Sequence, residues 1–295
     1  MGRLKRNVLS QFGHLCRKAF RALLRSDNCP NIADWCPISS EYALKWPSHK
    51  YIFSQMNERY DSTAARHYAA YRPPLHRLIL ERAIRPNESY QVGLDVGCGT
   101  GYSAVALTKY CDRVFGLDSS RSMLDAAQRH PRITYVHGSG DALSQLPVQV
   151  FDVVTFAGSM FYAKTDALRK ELVRVCPLGG MIIVYDFEVL LSDVMAEVGV
   201  DFTEVPSGYD YHANLSGWAE FTVDSSGAEQ IRLDVSKTDM AHLLLADSNR
   251  YDALLNRFPK GNLFESLVDY LSSLRGETQL LANIYFTSYR KGVKP

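Results

Sequence analysis

Val92-Gly-Leu-Asp-Val-Gly-Cys-Gly-Thr-Gly-Tyr-Ser-Ala-Val-Ala-Leu107 begins as a short apolar run, breaks into alternating glycines and resumes at helical spacing. It reads as strand, tight turn and helix. Gly97, Gly99 and Gly101 lack a β-carbon, so the turn can take positive φ and its backbone can lie directly against a ligand. A dinucleotide fingerprint, G-x-G-x-x-G, needs a third glycine at position 102, where the chain has Tyr102; Gly101 comes one place early. Asp95, at the end of the strand, suits a ligand that presents a cation or N–H groups better than one that presents a pyrophosphate. The next predicted strand, Arg113-Val-Phe-Gly-Leu-Asp118, also ends on an acid, at about the separation expected of a carboxylate gripping ribose hydroxyls.

Asp95-Val-Gly-Cys-Gly-Thr-Gly101 resembles the first motif of the class I S-adenosylmethionine-dependent methyltransferases, with Asp118 in place of the family's ribose-binding acid. Gly138-Ser-Gly-Asp-Ala142 is similar to the segment that contacts adenine, Phe151-Asp-Val-Val-Thr-Phe156 to the fourth strand, and Pro177-Leu-Gly-Gly-Met-Ile-Ile-Val184 to the turn into the fifth. The resemblance implies S-adenosylmethionine as methyl donor. It also implies a cofactor site made by Asp95, Gly97, Cys98, Gly99, Gly101, Asp118, Ser119, Met123, Gly140, Asp141, Ala142 and Ala157. Local alternatives stand beside it. Asp118 and Asp141 could each cap the helix that follows, because Asp favours N-cap positions; Met123 could be core, and Cys98 a small filler of the turn. Upstream, Ala65-x-x-Tyr68-x-x-x-Arg72-Pro73 resembles the lead-in of small-molecule methyltransferases similar to trans-aconitate methyltransferase, which covers the methionine end of the cofactor. That likeness implies Tyr68 and Arg72 as lid contacts; helix packing and a solvated arginine are the alternatives.

Strand and helix patterns alternate from residue 91 to 187, predicting an α/β fold: a doubly wound, mostly parallel sheet with helices on both faces, ligands collecting at the carboxyl ends of the strands. The family resemblance makes the sheet seven-stranded. With 295 residues and 46% apolar content the chain can bury a sizeable core. A net charge of +1 gives no general basis for a nucleic-acid partner. No apolar run reaches the roughly 18 residues of a membrane span, and the scattered cysteines suit a reduced, cytoplasmic protein. Residues 1–50 are expected to precede a methyltransferase domain of residues 51–295, with its cofactor core at 91–187 and an acceptor-shaping region at 188–280. Arg3, Lys5, Arg6, Arg17, Lys18, Arg21 and Arg25 accompany Leu4, Val8, Phe12, Leu15, Ala19 and Leu23 at helical spacing. A basic amphipathic helix of this kind over 3–25 could pack on the domain or a second copy, touch an anionic membrane, or direct the chain to an organelle. Cys29 and Cys36 are too far apart for a short zinc spacing and no second pair follows, so no metal site is expected. A helical pattern from Ser54 to Arg85 is broken by Pro73-Pro74.

After the fourth strand the chain reads Ala157-Gly-Ser-Met-Phe-Tyr162, without the Asn/Asp-Pro-Pro-Tyr/Phe box often found in methyltransferases of nucleic-acid and protein amino or amide nitrogens. An apolar, aromatic segment with hydroxyls at Ser159 and Tyr162 suits a small, partly apolar acceptor. Pro206–Asn214 reads as a loop, Glu229–Val235 as a strand, Thr238 to about Phe258 and Leu263–Leu274 as helices, and Leu281–Tyr289 as a last strand. Methyl transfer from a sulfonium is an in-line displacement in which alignment can supply ~7–11 kcal/mol of the barrier. A base is needed only if the acceptor must lose a proton. His212, Tyr162, Asp186 and Glu188 are the candidates for that base, and Ser159, Tyr162, Glu188 and His212 for acceptor contacts; Asp186 or Glu188 could instead pair with Arg290 or Lys291. Methylation of a tRNA or a protein, and a donor-binding scaffold without turnover, are the competing readings.

Overall fold

Val92–Val96, Val153–Phe156 and Met181–Tyr185 have almost no polar face to offer water, so they pack as central strands of a sheet covered on both sides. A computed structural model describes residues 62–140, 143, 146, 148–202, 208–258 and 261–292. The expected helix over 3–25 and the Cys29–Cys36 connection lie outside these residues. Helices α1 (Ser62–Ala70) and α2 (Leu75–Ala83) flank the Pro73-Pro74 break and lead into β1 (Tyr90–Val96). There follow α3 (Tyr102–Leu107), β2 (Cys111–Asp118), α4 (Arg121–Asp125), β3 (Ile133–His137), β4 (Val153–Ala157), α5 (Met160–Ala163), α6 (Asp166–Val175) and β5 (Met181–Leu190). The last third is α7 (Ser192–Glu197), β6 (Phe221–Val235), α8 (Lys237–Leu245), α9 (Ser248–Arg257), α10 (Leu263–Ser273) and β7 (Thr278–Lys291).

The strands lie in the order β3-β2-β1-β4-β5-β7-β6. Pairing from β3 through β5 is parallel, whereas β7 runs antiparallel to both of its neighbours. This is the doubly wound, seven-stranded sheet expected. The reversal of strand order between β1 and β4 opens a crevice at their carboxyl ends, where ligands of such sheets bind.

Helix α6 shows how the sequence covers the sheet. Thr165 caps it by accepting from the Leu168 N–H, its apolar stripe Leu168, Leu172 and Val175 is buried, and Pro177 follows its end. That stripe joins Phe151, Phe156 and Leu94 in the core on one face of the sheet, while Leu75, Ile79 and Leu80 of α2 pack on the other. A third core, remote from the sheet's centre, gathers Met195, Leu244, Leu254 and Leu267 from α7 to α10. On its border His67 of α1 and His242 of α8 meet Nδ1 to Nδ1 at 2.9 Å.

Two boundaries differ from expectation. The strand expected at Glu229 begins at Phe221, because β7 gives it partners along its whole length. The helix expected from Thr238 to Phe258 breaks after Ala246, where the Asp247 carboxylate accepts from the Arg250 N–H and starts a new helix.

Phe156 is fully buried in β4, so Phe156→Ala should lower unfolding free energy by about 3–5 kcal/mol in a urea titration.

Candidate active site

The turn after β1 leaves no room for side chains at two of its glycines. Gly97, Gly99 and Gly101 have φ of +74°, +52° and +86°. A β-carbon on Gly97 would stand 2.5 Å from that of Ser159, and one on Gly101 would stand 2.1 Å from the Tyr135 hydroxyl. The Gly97 N–H donates to the Leu117 carbonyl at 2.8 Å, so the turn is fastened to the end of β2. Asp118 completes the fastening: its carboxylate accepts from the Gly99 and Ser120 N–H groups, each at 2.8 Å. Across the crevice the Ser159 hydroxyl donates to the Val96 carbonyl at 2.5 Å. The helix after β2 is capped by Ser120 rather than by Asp118, leaving the carboxylate turned to the glycines.

These elements enclose a cleft of about 440 Å³, within the range usual for small-molecule sites. Of the expected cofactor residues, Gly97, Asp118, Ser119, Gly140 and Ala157 line it, and so do Ser159 and Tyr162. Gly99 and Gly101 shape the turn beside it. Others stand elsewhere. Asp95 is 0% exposed, and both its oxygens are taken by the Ser103 and Thr155 hydroxyls at 2.5 and 2.7 Å, so it braces the turn from beneath and faces no cationic ligand. The Cys98 side chain is buried, burial pushes its thiol far up, and it does not line the cleft. Met123 points outward from α4 and is 44% exposed, so it is neither core nor cleft wall. The Arg72 guanidinium stacks 3.3 Å over Tyr68 and 5.0 Å from the Tyr102 ring; neither Tyr68 nor Arg72 lines the cleft, and Arg72 borders a separate pocket with Tyr102. Asp141 and Ala142 lie outside the described residues.

Midway along β5, which runs past the expected strand end to Leu190, Asp186 is partly buried, and desolvation holds its carboxyl above the ordinary range against the pull of its hydrogen bonds. Its Oδ2 accepts from the Tyr209 hydroxyl at 2.5 Å and its Oδ1 from the Phe187 N–H at 2.8 Å. Tyr209 also reaches the Gly158 carbonyl at 2.7 Å. Phe161, Tyr162, Tyr209, Tyr211 and Tyr285 follow one another ring to ring, at 4.8–6.1 Å between centroids. The Glu188 carboxylate accepts from the Asn283 amide. His212 is exposed, packs edge-on to Tyr285 at 4.4 Å and borders a separate cavity of about 330 Å³ over β5, β7 and β6. The structure therefore separates His212 from the glycine cleft. Neither Asp186 nor Glu188 pairs with Arg290 or Lys291. Arg290 turns to Glu88 and Asp224, and the Lys291 ammonium donates to the Val173 and Cys176 carbonyls, because β7 carries both to the opposite end of the sheet. Sequence reading missed Tyr209, and it took Gly158 and Phe161 only as parts of the Ala157–Tyr162 segment. The density of aromatics in Tyr209-Asp-Tyr-His212, inside an otherwise polar loop, was the available signal.

Residues 94–184 match the methyltransferase domain family. A probable S-adenosylmethionine-dependent methyltransferase of Saccharomyces cerevisiae is 24% identical over 43% of this chain and 45% of its own length. An uncharacterized methyltransferase of Schizosaccharomyces pombe is 35% identical over 36% of this chain and 40% of its own. The chain thus spans less than half the length of these curated relatives. Among solved structures, a putative type II methyltransferase from Anaeromyxobacter dehalogenans superposes with a TM-score of 0.53 at 20% identity, covering 75% of this chain and 98% of that one. That likeness shows the fold.

Burial raises the Asp95 carboxyl from 3.8 to about 6. The folded state therefore holds this proton more tightly than the unfolded chain. Its stabilisation is present below pH 4 and is lost as pH rises to about 6. Thermal melts of Asp95→Asn against the parent protein should show the variant gaining on the order of 2–3 kcal/mol between pH 4 and 8, at about 1.4 kcal/mol per unit.

Proposed function

We propose that this chain, which belongs through residues 94–184 to the class I S-adenosylmethionine-dependent methyltransferases, transfers a methyl group from that donor to a small-molecule acceptor. The observation that carries the reading is the cleft in which Asp118 stands opposite Gly158 and Ser159, floored by a turn that tolerates no β-carbon at Gly97. The residues fit an adenosyl sulfonium. The Asp118 oxygens each keep a lone pair beyond the N–H groups that pin them, as a ribose diol requires. Gly138 and Gly140 leave a flat wall for a base, and the bare Gly97 backbone lets the donor's chain lie close. When bound, the donor supplies a methyl carbon already activated by positive sulfur.

What the protein adds is alignment and, for a protonated acceptor, a base. Tyr162 lines the cleft and Asp186 lies behind Gly158 on its β4–β5 side, which supports both as candidates beside an acceptor. Their position favours them over His212, which borders the neighbouring cavity. The aromatic rings of Phe161, Tyr162 and Tyr209 suit a small, partly apolar molecule, and the near-neutral net charge gives no general basis for a polyanion. No helix among the described residues is long and apolar enough to cross a membrane.

Calorimetry should find one S-adenosylmethionine per chain, and Asp118→Ala should weaken it about 10- to 100-fold, the worth of about 1.5–3 kcal/mol for hydrogen bonds to a charged group. Absence of binding by the parent protein would end this reading.

A further inference from the structure

We propose that the cavity bounded by α7, the end of α10 and the outer strands β7 and β6 is a second small-molecule site, shaped for a free α-amino acid with an apolar side chain. It shares no residue with the glycine cleft, and the inference does not depend on what that cleft holds.

The cavity measures about 290 Å³, close to the lower end of small-molecule sites, which is room for a single amino acid and not for a nucleotide. Its floor comes from the sheet. Leu190, Leu281 and Arg232 are register partners across β5, β7 and β6, so all three stand on one face of it. Leu271 and Leu274 from the end of α10 and Val194 of α7 complete an apolar lining.

Charge is divided across that floor. On the β5 side, α7 contributes Asp193 and Glu197, four residues apart and therefore on one face of the helix. Arg232 of β6 and Lys237, in the first turn of α8, stand on the other side. Two strand spacings put about 10 Å between the backbones of Leu190 and Arg232, a gap that long side chains narrow to the size of a small ligand. Arg275 and Glu277 add one charge of each sign. Opposite charges around one cavity commonly pair, yet among the described residues no ion pair includes any of these six. A lone cation or a lone anion would satisfy one wall and leave the other without a partner. A zwitterion satisfies both, its ammonium toward Asp193 and Glu197 and its carboxylate toward Arg232 and Lys237.

An independent observation concerns Thr278, at the start of β7. It lines the same cavity, and its hydroxyl oxygen is buried with no hydrogen-bond partner. A buried hydroxyl left unpaired is destabilising, and a ligand carboxylate supplies the acceptor it lacks. The leucines fix the rest of the ligand: with both charges on one carbon, an aliphatic side chain is free to lie along Leu190, Leu271 and Leu281 and bury its surface there.

Calorimetry of the whole chain with L-leucine, leucinamide and 4-methylpentanoate tests this, because the amide lacks the carboxylate and the acid lacks the ammonium while all three keep the side chain. L-Leucine should bind once per chain, equally well with and without excess S-adenosylhomocysteine, and each analogue should bind about 10-fold more weakly or worse, the loss expected when hydrogen bonds to a charged group are removed. Asp193→Asn and Arg232→Gln, both at exposed positions, should each weaken L-leucine about 10-fold and leave the thermal melt of the free protein unchanged. Thr278→Val should also weaken L-leucine, while the ligand-free variant melts no lower than the parent. No binding of L-leucine, equal binding of the three compounds, parent-like affinity in all three variants, or displacement of L-leucine by S-adenosylhomocysteine would each overturn the proposal.

Discussion

Backbone at Gly97 and Gly101 passes where no β-carbon fits, and the site is built on that close approach. Tyr135 of β3 fills the space over Gly101, Ser159 fills that over Gly97, and both fillings require glycine with positive φ. Three strands are thereby locked at one height: β1 through the turn itself, β2 through the Leu117 carbonyl and Asp118, β4 through Ser159 and the Val96 carbonyl. A side chain at either glycine would strain the turn and push at once against β3 or β4. The cleft is the space left over when these contacts are satisfied.

Three aspartates, of β1, β2 and β5, show how partners, more than residue type, set a carboxylate's work. Asp95 is wholly buried between two hydroxyls and braces the turn. Asp118 accepts from two backbone N–H groups, keeps lone pairs to spare and borders the cleft. Asp186 meets a tyrosine hydroxyl already shared with a carbonyl, and burial raises its affinity for a proton. The same side chain thus braces a turn from beneath at Asp95, fastens backbone at Asp118 and accepts from a tyrosine hydroxyl at Asp186.

Much of this was legible in residues 92–118, because a glycine turn between an apolar run and a helical pattern has few foldings and Asp118 falls at a strand end whichever is chosen. The buried destiny of Asp95 was not. Its partners Ser103 and Thr155 lie on a following helix and a later strand, and only the folded sheet brings them together. The aromatic chain was hidden for the same reason, since Phe161, Tyr209 and Tyr285 come from three distant segments. Asp186 and Tyr162 could be named because they follow predicted strands, although the folded chain puts Asp186 within β5 and Tyr162 in α5; Tyr209, which touches both, lies in a loop with no periodicity to mark it. The break at Asp247 did carry a local signal, an aspartate three residues before the N–H it caps, which apolar spacing across the junction obscured.

The order of strands has a consequence for how the domain comes into being on the ribosome. The strand made last of the seven, β7, is not at the rim; it slides in between β5 and β6, pairing with β5 from Met181 to Leu190 and with β6 from Phe221 to Val235. Until that segment emerges, the nascent sheet ends on an open β5 margin and β6 has nothing to pair with. An open edge of this kind is a template for unwanted strand addition, so an interrupted translation product would be the sticky species, and insertion of β7 closes β5 and gives β6 its place in one event.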